Sequence, residues 1–322
     1  MTTLDTLKTS TLAFGRRLMG TAAAAALGLG LGLAVIAGAP APVMAQDAAL
    51  TSAPDGSPAL WVLRDADSTI YLFGTVHILR PETAWHSDVV DQAFASADRV
   101  VFEITNPDDQ AAALPLIQRY GIDMETPLSS RLTAEEQAKL NTAAGDMGMT
   151  GAMLEPMRPW LAGLTLSMAP LAKAGYDPQS GVELVLRARA LEAGKPVDGL
   201  ETMEEQIQML AGMSEEGQMA FLRSVLEDYE KATVELDRLV AAWAAGDVES
   251  LEAIGVTPMR EESEPFYQTL LVRRNADWAG QIDTMMDGEG VIFIAVGSAH
   301  LAGDDSVQVL LEQRGYTVER VQ

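Results

Sequence analysis

Histidine is scarce in this chain, with only His77, His86 and His300 among 322 residues, and two of the three share one local frame. Gly74-Thr75-Val76-His77 follows an apolar run that ends at Phe73, and Gly297-Ser298-Ala299-His300 follows one that ends at Val296. Each reads as strand, glycine, two residues, histidine. A glycine lets the chain turn sharply off a strand and allows close backbone approach. The histidine is then presented just beyond the strand's carboxyl end, where open α/β sheets build their sites. A lone G-x-x-H is a weak signal, but its repetition at opposite ends of the chain points to a shared metal or catalytic role. The two histidines can meet only if their strands lie close together in one sheet.

Glu103 joins them as a candidate. It sits near the end of the apolar stretch Val100-Val101-Phe102-Glu103-Ile104, where a carboxylate is costly unless paired or bound to a cation. It reads either as a buried structural acid or as a ligand or general base. Glu201, directly after the short apolar segment ending at Leu200, is a fourth candidate, or else an acid at a helix start favoured by the helix dipole. Two histidines with one or two carboxylates form a mixed nitrogen and oxygen set suited to zinc, manganese, cobalt or iron. Such a site can polarise a carbonyl and activate water near neutral pH. Arg274, beside Arg273 and Asn275, reads either as a helix-surface cation or as a group that orients Glu103 or stabilises an oxyanion. His86, in Trp85-His86-Ser87-Asp88, reads as a surface or capping residue at a helix start. The methionines, among them Met147, Met149, Met153 and Met157, read as flexible packing. No nucleophile elbow, P-loop or dinucleotide fingerprint is found.

The elements that must position these residues follow from the apolar spacing. Leu60–Leu63 and Thr69–Phe73 read as a hairpin or two adjacent strands, Val89–Ala97 as a helix, and Arg99–Ile104 as a strand. Prolines break the stretch from Asn106 to Gly194 into helical pieces. Val182–Ala193 reads as a helix closed by Gly194, and Lys195–Leu200 as a short strand. Gln218–Ala245 reads as one long helix and Pro265–Met286 as another. Strand Val291–Val296, helix Ser306–Arg314 and strand Tyr316–Val321 complete the chain. The fold class is therefore α/β: a central mixed β-sheet formed by the N- and C-terminal segments, flanked by helices, with a large helical insertion over about 106–290.

Composition narrows the function classes. The absence of cysteine excludes disulfides, a catalytic thiol and thiolate-ligated metal or iron–sulfur sites. A formal net charge of −24 without a basic cluster disfavours nucleic acid and anionic membranes as partners. Lys8, Arg16 and Arg17 precede the uncharged Leu18–Ala39, and Val43-Met44-Ala45 fits a cleavage site, so residues 1–45 read as a signal peptide cleaved after Ala45. The alternative is an uncleaved anchor, since the stretch is long enough to span a membrane. Arg16-Arg17 leaves general and twin-arginine export open. Loss of Lys8, Arg16, Arg17 and Asp5 takes the net charge from −24 to −26. Residues 46–58 read as a flexible leader, and 59–322 as one α/β domain that is periplasmic or secreted and free of the membrane after cleavage.

With these residues in view the chain resembles the TraB/GumN family, which includes the Tiki-like metalloproteases. The resemblance rests on Trp61, Tyr71-Leu72-Phe73-Gly74-Thr75-Val76-His77-Ile78-Leu79, Val101-Phe102-Glu103-Ile104 and Pro159-Trp160. It extends through Gly199-Leu200-Glu201-Thr202 with Gln206, Arg274-Asn275 with Trp278, and Val296-Gly297-Ser298-Ala299-His300-Leu301. It implies a metal-dependent, peptidase-like site using His77, His300 and Glu103, with manganese or cobalt favoured, zinc also suitable, and a peptide or protein substrate. Gly181-Val182-Glu183 departs from the expected Gly-hydrophobic-Asp, so Glu183 brings an extra methylene to a position where an aspartate could organise the site. The expected function is a metal-dependent hydrolase. Alternatives are a non-catalytic peptide- or partner-binding protein of the periplasm and a haem- or iron-binding protein. Oligomeric state is not legible.

Overall fold

The computed structural model describes residues 57–322. The signal segment, its cleavage site and the leader up to residue 56 lie outside the described residues.

A six-stranded mixed sheet carries the molecule. Its strands are β1 (Leu60–Arg64), β2 (Ser68–Thr75), β3 (Arg99–Ile104), β4 (Val197–Glu201), β5 (Gly290–Gly297) and β6 (Val318–Arg320). They lie in the order β4-β3-β5-β2-β1-β6. β4, β3, β5 and β2 run parallel, while β1 pairs antiparallel with both β2 and β6. The expected α/β class therefore holds. One refinement is that β4, from the middle of the chain, enters the sheet beside β3, so the segment 106–290 is not wholly helical.

A parallel strand covered on both faces reads as an almost unbroken apolar run, and β5 does so with Val291-Ile292-Phe293-Ile294-Ala295-Val296. Its side chains alternate between two cores. Phe293 and Ala295 pack with Phe73, Phe102, Trp160 and Trp243 on one face. Ile292, Ile294 and Val296 pack with Ile70, Leu72, Val101, Trp278 and Ile282 on the other. Helices cover both faces. They are α1 (Asp88–Ser96), α2 (Gln110–Gly121), α3 (Ala134–Asp146), α4 (Pro159–Lys173), α5 (Val182–Glu192), α6 (Met203–Ala211), α7 (Glu215–Asp228) and α8 (Ala232–Ala244). Short helices α9 (Val248–Leu251), α10 (Thr257–Glu262) and α11 (Glu264–Tyr267) lead to α12 (Arg273–Met286) and, after β5, α13 (Val307–Gln313). Among the described residues no helix is long and apolar enough to cross a membrane.

Three sequence expectations need correction. The long helix over Gln218–Ala245 is two helices, α7 and α8, separated at Tyr229–Lys231, where the Lys231 N–H returns to the Asp228 carbonyl at 2.8 Å. Leu222, Val225 and Leu226 are buried on α7, and Leu236, Leu239 and Trp243 on α8, so each helix keeps its own inward stripe and the chain turns between them. The helix over Pro265–Met286 carries a π-helical stretch, Gln268–Val272, that shifts its register before α12. The last strand shrinks to Val318–Arg320, an edge strand paired only with β1.

Both G-x-x-H segments are fixed at the carboxyl edge by their strands. Gly74 of β2 is level with Val296 of β5, and Thr75 with Gly297, so the two motifs leave the sheet side by side. Trp243 of α8 donates its indole N–H to the Gly74 carbonyl at 2.7 Å, holding the turn into the first motif. The second motif closes as a 3₁₀ turn, Ser298–Leu301. Opposite the first motif, the Val182 N–H donates to the Val76 carbonyl at 3.0 Å, docking the start of α5 against the His77 segment. Gly181 makes that docking possible, because a Cβ there would overlap the His77 carbonyl. Gly181→Ala is accordingly expected to cost roughly 1–3 kcal/mol by overpacking, read as a lowered urea midpoint. A midpoint equal to that of the wild type would contradict the close approach.

Candidate metal centre

Reading across the carboxyl edge of the sheet, the candidate residues fall in strand order: Glu201 from β4, Glu103 from β3, His300 after β5 and His77 after β2. Ile104 is level with Glu201, which sets the two carboxylates one step apart on neighbouring strands.

Glu103 is the hub. It is 1% exposed, and its Oε1 accepts the Gly297 N–H at 2.7 Å. Its Oε2 accepts from Arg274 Nη2 at 2.6 Å and from Gln206 Nε2 at 3.0 Å. Burial alone would push this carboxyl up, but the Arg274 guanidinium, both histidines and the Gly297 N–H together outweigh it and hold the group at about 2. Oε1 also lies 3.7 Å from His77 Nε2 and 3.9 Å from His300 Nε2, so both rings point a nitrogen at the same oxygen.

Arg274 comes from the first turn of α12, directly after the π-helical stretch, and it is 4% exposed. Its Nε and Nη2 grip the two oxygens of Glu201 at 2.8 and 3.0 Å as a fork. Its Nη1 reaches the Leu270 carbonyl at 3.1 Å and His300 Nε2 at 2.9 Å. A guanidinium offers five N–H donors, and these contacts with that to Glu103 engage them all. The helix-surface reading of Arg274 is thereby overturned. Trp278, one turn along, closes the pair: its indole N–H donates to Glu201 Oε1 at 2.9 Å, and its ring lies 4.6 Å from the guanidinium carbon. Burial pushes the Glu201 carboxyl up, and Arg274 offsets only part of that push.

His300 is fully buried, and its ring centroid is 4.4 Å from that of Trp278. A guanidinium can only donate, so Nε2 is the accepting nitrogen and Nδ1 carries the proton to Asn275 Oδ1 at 2.5 Å. The Asn275 amide is oriented in turn by donating to the Asp305 carbonyl at 2.7 Å.

His77 is more open, with 12% of its side chain exposed. Its Nδ1 is 2.8 Å from Glu183 Oε1, and the Thr75 hydroxyl donates to that same oxygen. Its Nε2 is buried with no hydrogen-bond partner, as are Glu183 Oε2 and Ser298 Oγ. Burial lowers the His77 pKa, but the charges of Glu183 and Glu103 and the hydrogen bond to Glu183 raise it more, so the net shift is upward.

Among the described residues, His77, Glu103 and Glu183 form a group of potential ligand atoms lying within 4.8 Å of one another. Glu183 was visible in sequence only as a departure from the family pattern, because an acid in the first turn of a helix passes as a dipole partner. The ligand set expected from sequence is distributed differently. His77 and Glu103 come together, whereas Glu201 is held by Arg274 and Trp278, and His300 Nε2 faces Arg274. His86 stands apart. It is 5% exposed and stacked on Trp85 at 3.7 Å, with Nδ1 3.5 Å from Asp91, so it is neither a surface residue nor a cap. Ser87 caps α1 instead, through the Val90 N–H.

The sequence model of the TraB/PrgY/gumN family matches residues 59–320. The chain belongs to this family. A relative from Escherichia coli strain K12, uncharacterized protein YbaP, is 23% identical over 256 residues, covering 79% of this chain and 92% of its own length. YbaP of Shigella flexneri matches with the same identity and coverage. An uncharacterized protein of Treponema pallidum strain Nichols is 22% identical over 284 residues, covering 79% of this chain and 80% of its own length. No solved structure matches the chain significantly. The match spans nearly all the described residues, while the relatives' names assign no chemistry.

Removing Arg274 should expose how much the site depends on it. Arg274→Met leaves Glu103 and Glu201 buried without their counter-charge, an imbalance worth roughly 3–5 kcal/mol. Urea denaturation of the metal-free protein at neutral pH is expected to show that loss, with Arg274→Lys intermediate because a lysine lacks the fork. A loss below about 1 kcal/mol for Arg274→Met would show that the carboxylates are stabilised by something else.

Proposed function

We propose that this protein is an exported metal-dependent hydrolase acting on peptide bonds, with a divalent cation held by His77 and Glu103. The observation that carries this reading is the unpartnered, buried Nε2 of His77, 3.7 Å from Glu103 Oε1. His77 and Glu103 would hold the ion, offering one imidazole nitrogen and one carboxylate.

The charge count supports it. Glu103, Glu183 and Glu201 bring three formal negative charges against the single positive charge of Arg274, and all four side chains are buried or nearly so. Excess buried charge of one sign calls for a cation. An imidazole nitrogen with carboxylate oxygens suits zinc, manganese or cobalt, and the family resemblance favours the last two. When bound there, such an ion would polarise a substrate carbonyl and render water nucleophilic near neutral pH.

The chain's own groups divide the remaining work. Glu103, held charged by Arg274 and the Gly297 N–H and facing His77 Nε2, serves as a ligand in this reading. Arg274, with every donor engaged, positions Glu103 and Glu201 and has no N–H left to offer an oxyanion. His300 lies beside Glu103, with Nε2 3.9 Å from Oε1 and its ring fixed by Asn275.

The test is metal content. Untagged protein is loaded with manganese, cobalt or zinc, freed of excess ion and measured by elemental analysis, alongside His77→Ala and Glu103→Ala. The expected result is a single equivalent of ion in the wild type and none in either variant, with peptide hydrolysis by the loaded wild type only. A wild type that retains no ion would sink the hydrolase reading. Ion binding without hydrolysis of a broad peptide library would leave a metal-dependent peptide-binding protein.

A further inference from the structure

Both G-x-x-H rings are set in the same tautomer by residues outside the motifs. His300 donates from Nδ1 to Asn275 Oδ1, and its Nε2 faces Glu103 at 3.9 Å. His77 meets Glu183 through Nδ1 at 2.8 Å, and its Nε2 faces Glu103 at 3.7 Å. A carboxylate oxygen can only accept, so the neutral His77 ring carries its proton on Nδ1 and turns the Nε2 lone pair toward Glu103. Two separate elements, α5 and α12, therefore do the same job for two rings from two different strands.

We propose that Glu183 is a positioning residue, which together with Thr75 fixes the His77 tautomer so that Nε2 is the metal-ligating nitrogen, and which does not itself bind the ion. This rests on the metal reading of the site and refines it. Glu183 belongs to the group of ligand-sized spacing, but its Oε1 is already taken by two donors, the His77 ring and the Thr75 hydroxyl, which leaves only Oε2 without a partner. Thr75 ends β2 and is fully buried, so its hydroxyl is a fixed donor that clamps the carboxylate against the ring. Gly181 lets the start of α5 come close enough to the His77 backbone for the longer glutamate to face the ring. Carboxylates that orient a metal-bound histidine in this way usually tune affinity ten- to hundredfold, whereas a lost ligand removes the ion.

Three histidines in the whole chain make the tautomer directly readable. Metal-free protein labelled with nitrogen-15 in histidine is examined by long-range nitrogen–proton correlation at alkaline pH, where the rings are neutral. The His77 signals are assigned by their loss in His77→Ala. Wild type and Thr75→Ser should show a proton on Nδ1 and a bare Nε2. Glu183→Gln should move His77 toward the opposite tautomer, and Thr75→Val should shift it part of the way. Zinc affinity, measured by competition with a chelating dye, should fall about ten- to hundredfold in Glu183→Gln, less in Thr75→Val, and vanish in His77→Ala. An unchanged tautomer in Glu183→Gln overturns the proposal whatever the affinity. So does complete loss of zinc in that variant, equal to the loss in His77→Ala, since that would make Glu183 a ligand. Failure of the wild type to bind zinc would count against the metal reading, while the tautomer comparison, made without any ion, would still decide the role of Glu183. Matching amide spectra of all variants establish that each is folded.

Discussion

A carboxylate stripped of water at the edge of a sheet must be compensated from every side, and Glu103 is compensated in just this way. A backbone N–H from β5 takes one oxygen, and a guanidinium and an amide take the other. The consequences spread outward. The guanidinium has to reach the sheet edge from α12, where it follows the π-helical turn and rests on the carbonyl of Leu270 and the face of Trp278. Glu201 then balances the far side of Arg274, which explains a second buried acid at the end of β4. Holding Glu103 charged in the interior thus requires contributions from β4, β5, α6 and α12 at once.

This arrangement gives the two faces of Glu103 different characters. On the Oε2 side Arg274 and Gln206 Nε2 both donate, and only the Gln206 Oε1 is left without a partner. Toward His77 the pairing is incomplete: Nε2 has no partner, and the ring is the most exposed member of the cluster. Buried polar atoms in native structures are rarely left unsatisfied, so the His77 Nε2 calls for a partner that the chain itself does not supply. The gap, the excess negative charge and the access to solvent all fall on the same side, which is where a cation and then a substrate would arrive.

Much of this was legible in the sequence, because it depends on local patterns. The strands leading into Gly74 and Gly297 announce themselves by apolar runs, and the repeated glycine–histidine spacing puts both rings at the carboxyl edge. Glu103 stood out as a charge in an apolar strand. What escaped depends on packing. Arg274 looks like a surface cation on a helix, although Trp278, Ile282 and Met286 follow it at four-residue steps, and that stripe was the available sign that it lies on a buried face. Glu183 looks like a helix-start acid until Gly181 is seen letting α5 close on the His77 backbone. The π-helical stretch leaves no trace in a period of 3.6, and neither does the break between α7 and α8, since both halves keep good apolar stripes.

The central proposal is that His77 and Glu103 together hold one cation. The most direct measurement is an anomalous difference map from crystals grown with manganese, with data collected above and below the manganese absorption edge. The account predicts a single strong peak within ligand-bond distance of both side chains, with Arg274 still gripping Glu103 Oε2. A peak elsewhere, or none at this edge of the sheet in crystals soaked well above the measured affinity, would contradict it.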